Sequence, residues 1–160
     1  MPYLTPEQEA REKIDQMLEA AGWVVQNNNE LNLSAGLGVA VREFQTAAGP
    51  ADYVLFVDRK AVGVIEAKKF GTTLRGVFEQ SAKYMAGFPE HIPHVEMPLP
   101  FSYESTGIET LFVNRRDPNF RSRRVFNFHL PETLLDWSEK SETMRGKLQE
   151  TPIKYPLITD

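Results

Sequence analysis

Apolar residues near the N-terminus recur at the spacing of one face of an α-helix: Ala10, Ile14, Met17, Leu18 and Ala21. Thr5 and Pro6 come directly before this run, and Gln8 follows Thr5 by three positions. That order is typical of a helix start in which a threonine and a glutamine cap the first backbone N–H groups. Gly22 is a typical helix stop. The pattern therefore predicts a helix from Pro6 to about Ala21.

The pattern then changes to a period of two, which indicates strands. Gly38–Thr46 is predicted as one strand, with Val39, Val41 and Glu43 on one face and Ala40, Arg42 and Phe44 on the other. Two further runs, Asp52–Val57 and Ala61–Lys68, are predicted to form a hairpin around a turn at 58–60. The hairpin is the clearest strand pair that the sequence predicts.

The rest of the chain continues to mix helices and strands. We predict a helix over Leu74–Gly87, a proline-rich loop over His91–Ser102, strands at Thr110–Asn114 and Val125–Leu130, and a helix from Pro131 to about Leu148. This order predicts an α/β fold with a mixed central β-sheet flanked by helices. Residues 1–150 are expected to form a single domain, and residues 151–160 an extended tail.

The net charge of the chain bears on whether it can bind nucleic acid by itself. The 160 residues carry a formal net charge of −4, whereas a domain that binds DNA unaided is usually basic, because phosphate neutralisation supplies most of the affinity. The absence of cysteine excludes disulfides and thiolate metal sites. There is no apolar run of about 18 residues and no secretory leader. We therefore expect a cytoplasmic location and no membrane association.

The predicted hairpin brings together residues that suit phosphodiester hydrolysis. Alternation in its second strand places Val62, Val64, Glu66 and Lys68 on one face and Ala61, Gly63, Ile65 and Ala67 on the other. Asp52 begins the neighbouring strand, so its carboxylate is expected at the same end of the sheet as Glu66. Two carboxylates can hold Mg²⁺, with Mn²⁺ as a substitute, and the carbonyl of Ala67 could complete the metal shell. Lys68 could orient the attacking water or stabilise developing charge. The alternative is a solvated salt bridge.

A second pair lies on the next predicted helix. Gln80 and Tyr84 are four positions apart, so they share a helix face at the flank of its apolar stripe. One interpretation is an ordinary helix boundary. The other is that both side chains point to the carboxylates and orient a phosphate or a metal-bound carboxylate.

These residues resemble the PD-(D/E)XK nuclease signature. The resemblance rests on Gly49-Pro50-Ala51-Asp52-Tyr53, then Val64-Ile65-Glu66-Ala67-Lys68, and then Gln80 and Tyr84. The last pair is similar to an extra motif of the restriction (R) subunit of type I restriction–modification enzymes. Further similar stretches, such as Tyr103-Glu104-Ser105-Thr106-Gly107 and Arg121-Ser122-Arg123, extend the likeness over nearly the whole chain. Ala51 stands where the motif name has proline.

The resemblance implies a restriction-endonuclease-like fold and a metal-dependent nuclease in which Asp52, Glu66, Lys68, Gln80 and Tyr84 are catalytic. It also implies partners: double-stranded DNA, methylation and specificity subunits, and a C-terminal motor domain of the same polypeptide. The chain has no Walker-type phosphate loop, so ATP would be used only by that absent motor. We expect the chain to be an N-terminal piece of such a subunit, cutting DNA far from the recognition site.

Several points stay open at this level. An acidic residue of the first helix could join the site, and the candidates are Glu7, Glu9 and Glu12; Glu43 could be another supporting acid. The arginine cluster between Arg115 and Arg124 could follow a DNA backbone, or could be a solvated turn or a domain contact. Two alternative functions are a non-catalytic docking module of nuclease fold and a PD-(D/E)XK nuclease of another defence or repair system.

Overall fold

A computed structural model describes residues 4–74 and 79–150, with the side chains of residues 79–82 and 141–150 outside the description. Within these ranges the chain forms a seven-stranded sheet with the strand order β1-β2-β3-β4-β5-β6-β7. The elements are α1 (Pro6–Ala20), β1 (Val24–Asn27), a short 3₁₀ helix (Asn28–Glu30), β2 (Gly38–Thr46), β3 (Gly49–Val57), β4 (Lys60–Ala67), α2 (Glu79–Ala86), β5 (Phe101–Ser105), β6 (Thr110–Asn114), β7 (Arg123–Val125) and α3 (Pro131–Glu150).

The sheet is mixed, as predicted. The pairs β1–β2 and β4–β5 are parallel, and the other neighbouring strands are antiparallel. One buried cluster contains side chains of α1 and α3, such as Ile14 and Leu134, and a second contains Met85 of α2. Helices therefore cover both faces of the sheet, which agrees with the expected α/β architecture.

The start of α1 follows the predicted capping pattern. The backbone N–H of Gln8 donates to the Thr5 hydroxyl at 3.1 Å, and the Thr5 N–H donates to the Gln8 side chain at 2.9 Å. The helix ends at Ala20, two residues before Gly22, which has φ +92°. The predicted N-terminal helix is thus confirmed.

Two strands were missed by the sequence pattern. β1 was not predicted, and β5 overlaps the end of the predicted loop His91–Ser102. All five residues of β5 are buried, including Ser102, Glu104 and Ser105, so buried and exposed positions do not alternate along this strand. The prediction of Val125–Leu130 as a strand was also wrong, because the strand there is β7, which ends at Val125.

The predicted strand faces were wrong at two places, each with a local cause. In β2, Glu43 has φ +51°, and after it Phe44 lies in the cluster of Val39 and Val41 instead of sharing a face with Ala40. A left-handed residue within a strand changes the direction in which the following side chains point.

In the hairpin, the register shifts between Leu55 and Phe56. As a result Val62 packs with Ile65, whereas Ala61 packs with Val64. The hairpin turn is shorter than predicted: Val57 pairs with Lys60 around two residues with positive φ, Asp58 and Arg59. Such a two-residue turn matches the twist of the strands it joins.

The remaining boundaries agree approximately. β2 and β6 have the predicted bounds, and α3 begins at Pro131 as expected. The helix predicted over Leu74–Gly87 is observed as Glu79–Ala86, with residues 75–78 outside the described part. The predicted tail 151–160 also lies outside the described residues. No helix in the described ranges is long and apolar enough to cross a membrane.

Candidate active site

The β3–β4 hairpin places the two predicted carboxylates next to each other. Tyr53 pairs with Ile65 in the antiparallel register, and Asp52 and Glu66 come one residue beyond that pair on their strands. The backbone N–H of Ala67 donates to Asp52 Oδ2 at 2.8 Å. Because this bond links the two strands at their ends, the orientation of the Asp52 carboxylate is fixed by the hairpin itself.

One cleft of about 400 Å³ contains most of the predicted site. We call it the carboxylate cleft, and its lining is Glu7, Arg11, Asp52, Glu66, Ala67, Lys68, Lys69, Thr72 and Tyr84. Of the predicted residues, Asp52, Glu66, Ala67, Lys68 and Tyr84 are therefore together. Gln80 lies in α2, four residues before Tyr84, but its side chain is outside the described part of the structure.

Of the three acidic candidates on α1, only Glu7 lines the carboxylate cleft. Glu9 and Glu12 are exposed and do not line it. Glu43 does not share the face of Val39 and Val41 as predicted: its side chain is 60% exposed and pairs with Arg11 of α1 at 3.0 Å, the same arginine that binds Asp52. The left-handed conformation of Glu43 accompanies this change of direction. The role of Glu43 as a supporting acid stays a prediction.

Arg11 is a site residue that the sequence analysis did not identify. Its Nη2 donates to Asp52 Oδ1 at 2.6 Å, and its Nη1 donates to Glu43 at 3.0 Å. It follows Glu7 by four positions, so both side chains extend from one face of α1. That spacing was the only available signal, and it could be interpreted only once α1 was known to lie beside the hairpin. Among the described residues, Asp52 thus has two partners, Arg11 and Ala67.

Lys68 and Glu66 form an ion pair with Nζ to Oε1 at 3.0 Å, and Glu66 is only 4% exposed. Burial lowers the pKa of Lys68, but the hydrogen bond and charge of Glu66, together with Glu104 and Asp52, outweigh it, so that the pKa is raised. The Lys68 side chain is accordingly an ammonium group held among carboxylates.

Glu104 is a third carboxylate that the sequence analysis missed as a site residue. It pairs with Glu66 in the parallel register of β4 and β5 and is 4% exposed. No hydrogen-bond partner for its Oε1 is found among the described residues. Burial, and next the charge of Glu66, raise the pKa of Glu104. Because β5 was not predicted, no sequence signal linked Glu104 to Glu66.

The arginine cluster of the sequence analysis divides into a structural and an exposed part. The Arg116 side chain is 5% exposed, and it donates to Glu96 at 2.6 Å and to the carbonyl of Ser138 at 2.6 Å. It therefore fixes α3 to the segment before β5. In contrast, Arg121, Arg123 and Arg124 are exposed beside β7.

Comparison with known proteins supports a restriction-enzyme relationship. Residues 19–108 match the family model described as the second domain of the type I restriction enzyme EcoKI endonuclease subunit. This match covers more than half of the chain and includes every strand from β1 to β5. No curated protein matches the chain.

A solved structure has a similar fold. It is a fragment assigned to the HsdR subunit of a type I restriction enzyme from Vibrio vulnificus YJ016, with a TM-score of 0.60 and 21% identity over 88% of the chain. The chain spans 26% of the length of that protein. At this identity the likeness concerns the fold alone, whereas the family follows from the sequence match. The chain belongs to the family of the second domain of the type I restriction enzyme EcoKI endonuclease subunit.

Proposed function

We propose that this chain is the metal-dependent endonuclease domain of an ATP-dependent type I restriction enzyme, with a PD-(D/E)XK fold, and that it hydrolyses DNA phosphodiester bonds away from the recognition site. The observation that carries the proposal is the convergence of Asp52, Glu66 and Lys68 in the carboxylate cleft. A surface salt bridge would explain the Lys68–Glu66 contact. It would not explain a buried Glu66 beside a second carboxylate whose orientation is fixed by a backbone N–H.

The residues of the cleft fit a hard divalent cation such as Mg²⁺ or Mn²⁺. Asp52 and Glu66 offer carboxylate oxygens, and Glu104 adds buried negative charge beside Glu66. Within the described residues, no three His, Asp or Glu side chains form a metal cluster. A cation would therefore be held by the two carboxylates, the carbonyl of Ala67 and water, which suits Mg²⁺ because it gives up its waters reluctantly.

Each residue of the proposed site has a defined role. Bound Mg²⁺ would supply positive charge to the scissile phosphate and make a water molecule easier to deprotonate. Asp52 and Glu66 hold the cation, and the Ala67 N–H keeps Asp52 in place. Lys68 presents an ammonium group that stabilises negative charge developing on the phosphate. Gln80 and Tyr84, which belong to α2, orient the phosphate or a metal-bound carboxylate.

The proposed partners follow from the family and from the charge. The chain is acidic overall, so double-stranded DNA is held mainly by other parts of a restriction–modification complex. These are the methylation and specificity subunits and a motor domain of the same polypeptide, where ATP is consumed. A cytoplasmic location belongs to the same proposal.

A second function, a non-catalytic docking module, is favoured by one observation. The Arg11 guanidinium already neutralises Asp52 at 2.6 Å, as it would in a site that no longer binds metal. An arginine that competes with a cation for one carboxylate oxygen lowers the metal affinity but leaves the other oxygens available. Metal binding therefore separates the two functions.

The decisive test of the nuclease is plasmid cleavage by the complete restriction complex with Mg²⁺ and ATP. We expect Asp52→Ala, Glu66→Ala and Lys68→Ala each to abolish cleavage while ATP hydrolysis continues, because the motor lies elsewhere. Glu90→Gln, at an exposed carboxylate outside the carboxylate cleft, is the matched control and should cut normally. Cleavage at the wild-type rate by the three site variants would contradict the proposal.

Calorimetric titration of this chain with Mn²⁺ tests the metal site without the rest of the complex. We expect binding that disappears in Asp52→Ala and Glu66→Ala but persists in Glu90→Gln. Arg11→Met should bind Mn²⁺ more tightly, since it removes the competing guanidinium. A wild-type chain that takes up no Mn²⁺ would support the docking module instead.

A further inference from the structure

A second cleft lies at one edge of the sheet, beside the edge strand β7. It has a volume of about 450 Å³, and we call it the basic cleft. The side chains of Arg121, Arg123, Arg124 and Lys140 line it with a single carboxylate, that of Asp117. Four cations against one carboxylate are notable in a chain whose net charge is −4. The lining of this cleft therefore carries more cationic than anionic side chains, although the chain as a whole is acidic.

Two of these cations have no carboxylate partner in the part of the chain that the structure describes. Arg124 pairs with Glu109 at 3.0 Å and Lys140 with Asp136 at 3.1 Å, and the side chains of these two pairs are 42–73% exposed. Arg121 and Arg123 form no ion pair with the described residues. Both guanidinium groups are thus available to an anion, and arginine suits phosphate because it can donate two parallel hydrogen bonds.

The floor of the basic cleft is aromatic. Phe112, His129 and Trp137 line it and contact one another, with ring centroids 4.5 to 6.0 Å apart. Burial lowers the pKa of His129, which keeps this floor uncharged near neutral pH. Directly after β7, the side chain of Phe126 is 88% exposed. Phosphate-binding cations around aromatic rings are the combination that binds single-stranded nucleic acids, because each base can stack on a ring.

The volume and the aromatic floor of the basic cleft favour a single strand over a duplex as its ligand. Its volume lies in the range of pockets that take small organic ligands, about 300–1,000 Å³. A duplex keeps its bases stacked inside, so only its phosphates would reach the rim and the aromatic floor would stay unused. Charged residues also protect an edge strand from pairing with another sheet, but that role requires neither a cavity nor an aromatic floor.

The basic cleft is separate from the carboxylate cleft. Glu66, Glu104, Leu111 and Arg124 lie in one row across four neighbouring strands. Three strand spacings of about 4.8 Å place the Arg124 backbone about 14 Å from that of Glu66. We propose that the basic cleft binds an unpaired nucleotide of single-stranded DNA, with Arg121 and Arg123 on its phosphates and the base against Trp137. Only the choice of DNA rests on the proposed nuclease function.

The test measures the binding of a fluorescein-labelled oligothymidylate of about 20 nucleotides by fluorescence anisotropy. EDTA is present, so that the outcome does not depend on metal or on cleavage. For single strands each phosphate contact contributes about 0.7 to the slope of log affinity against log salt. Arg121→Gln/Arg123→Gln should therefore reduce the slope by about 1.4. The matched control Lys60→Gln/Lys83→Gln removes two exposed cations outside this cleft and should leave the slope nearly unchanged.

A second readout uses the fluorescence of tryptophan. Binding should quench the emission, and Trp137→Phe should remove most of the quenching, since Trp23 is buried at 3% exposure outside the cleft. Circular dichroism would establish that each variant is folded. The proposal is overturned if a duplex of the same length binds as tightly as the single strand. It is also overturned if the arginine variant has the same salt slope as the lysine control.

Discussion

Replacing Asp52 with alanine should destabilise the metal-free chain, because two groups of the chain hold this carboxylate. The Ala67 N–H bond, 2.8 Å long and partly buried, is a hydrogen bond to a charged group, a class that contributes about 1.5–3 kcal/mol. The Arg11 ion pair contributes less than about 1 kcal/mol, since the Arg11 side chain is 37% and that of Asp52 21% exposed. We expect a loss of about 2–3 kcal/mol in the free energy of unfolding.

The assay is urea unfolding of the chain in EDTA, followed by circular dichroism. In thermal unfolding of a chain of this length, the same loss of free energy would lower the Tm by roughly 5–10 °C. Asp52→Asn should be intermediate, because its amide oxygen can still accept the Ala67 N–H but carries no charge. Glu12→Ala, an exposed acidic residue on α1 outside the carboxylate cleft, serves as the control and should change stability by less than about 0.5 kcal/mol.

The reasoning is refuted if Asp52→Ala is as stable as the wild-type chain, or more stable. Repulsion between Asp52 and Glu66 would then exceed everything that Arg11 and Ala67 contribute. The double variant Arg11→Ala/Asp52→Ala separates the ion pair from the hydrogen bond, and its coupling energy should be below about 1 kcal/mol.

Three further predictions concern the framework of the site. Gly63→Ala should destabilise the chain by about 3 kcal/mol or more in urea unfolding, because its Cβ would lie 2.4 Å from the carbonyl oxygen of Phe101 and force β4 and β5 apart; an unchanged midpoint would contradict the β4–β5 register. Tyr53→Phe should cost about 1–2 kcal/mol, since the buried hydroxyl donates to Asp15 at 2.6 Å; thermal unfolding measures this. Burial lowers the pKa of His129, so the unfolded chain binds a proton more readily, and stability should fall as the pH drops below about 6.5. His129→Gln should flatten that part of the stability–pH curve, and an equally steep curve would argue against a buried neutral His129.

The sequence by itself determined most of the elements with local signals. The capping residues Thr5 and Gln8 fixed the start of α1, and alternation identified β2 and the β3–β4 hairpin. Hairpin geometry alone also predicted that Asp52 would lie beside Glu66. These features depend on residues close together in the chain, and the local pattern of apolar positions reports them directly.

The tertiary structure decided what depends on distant residues. β5 is buried on both faces and is paired in parallel with β4 after a crossover of more than 30 residues, so no residue near it in the chain indicated that Glu104 would lie beside Glu66. Glu7 and Arg11 join the site only because α1 packs against the hairpin. Alternation likewise failed where Glu43 and the register shift at Leu55 reversed the faces. A local pattern states which side of an element is apolar, but long-range packing determines which elements bring their polar residues together.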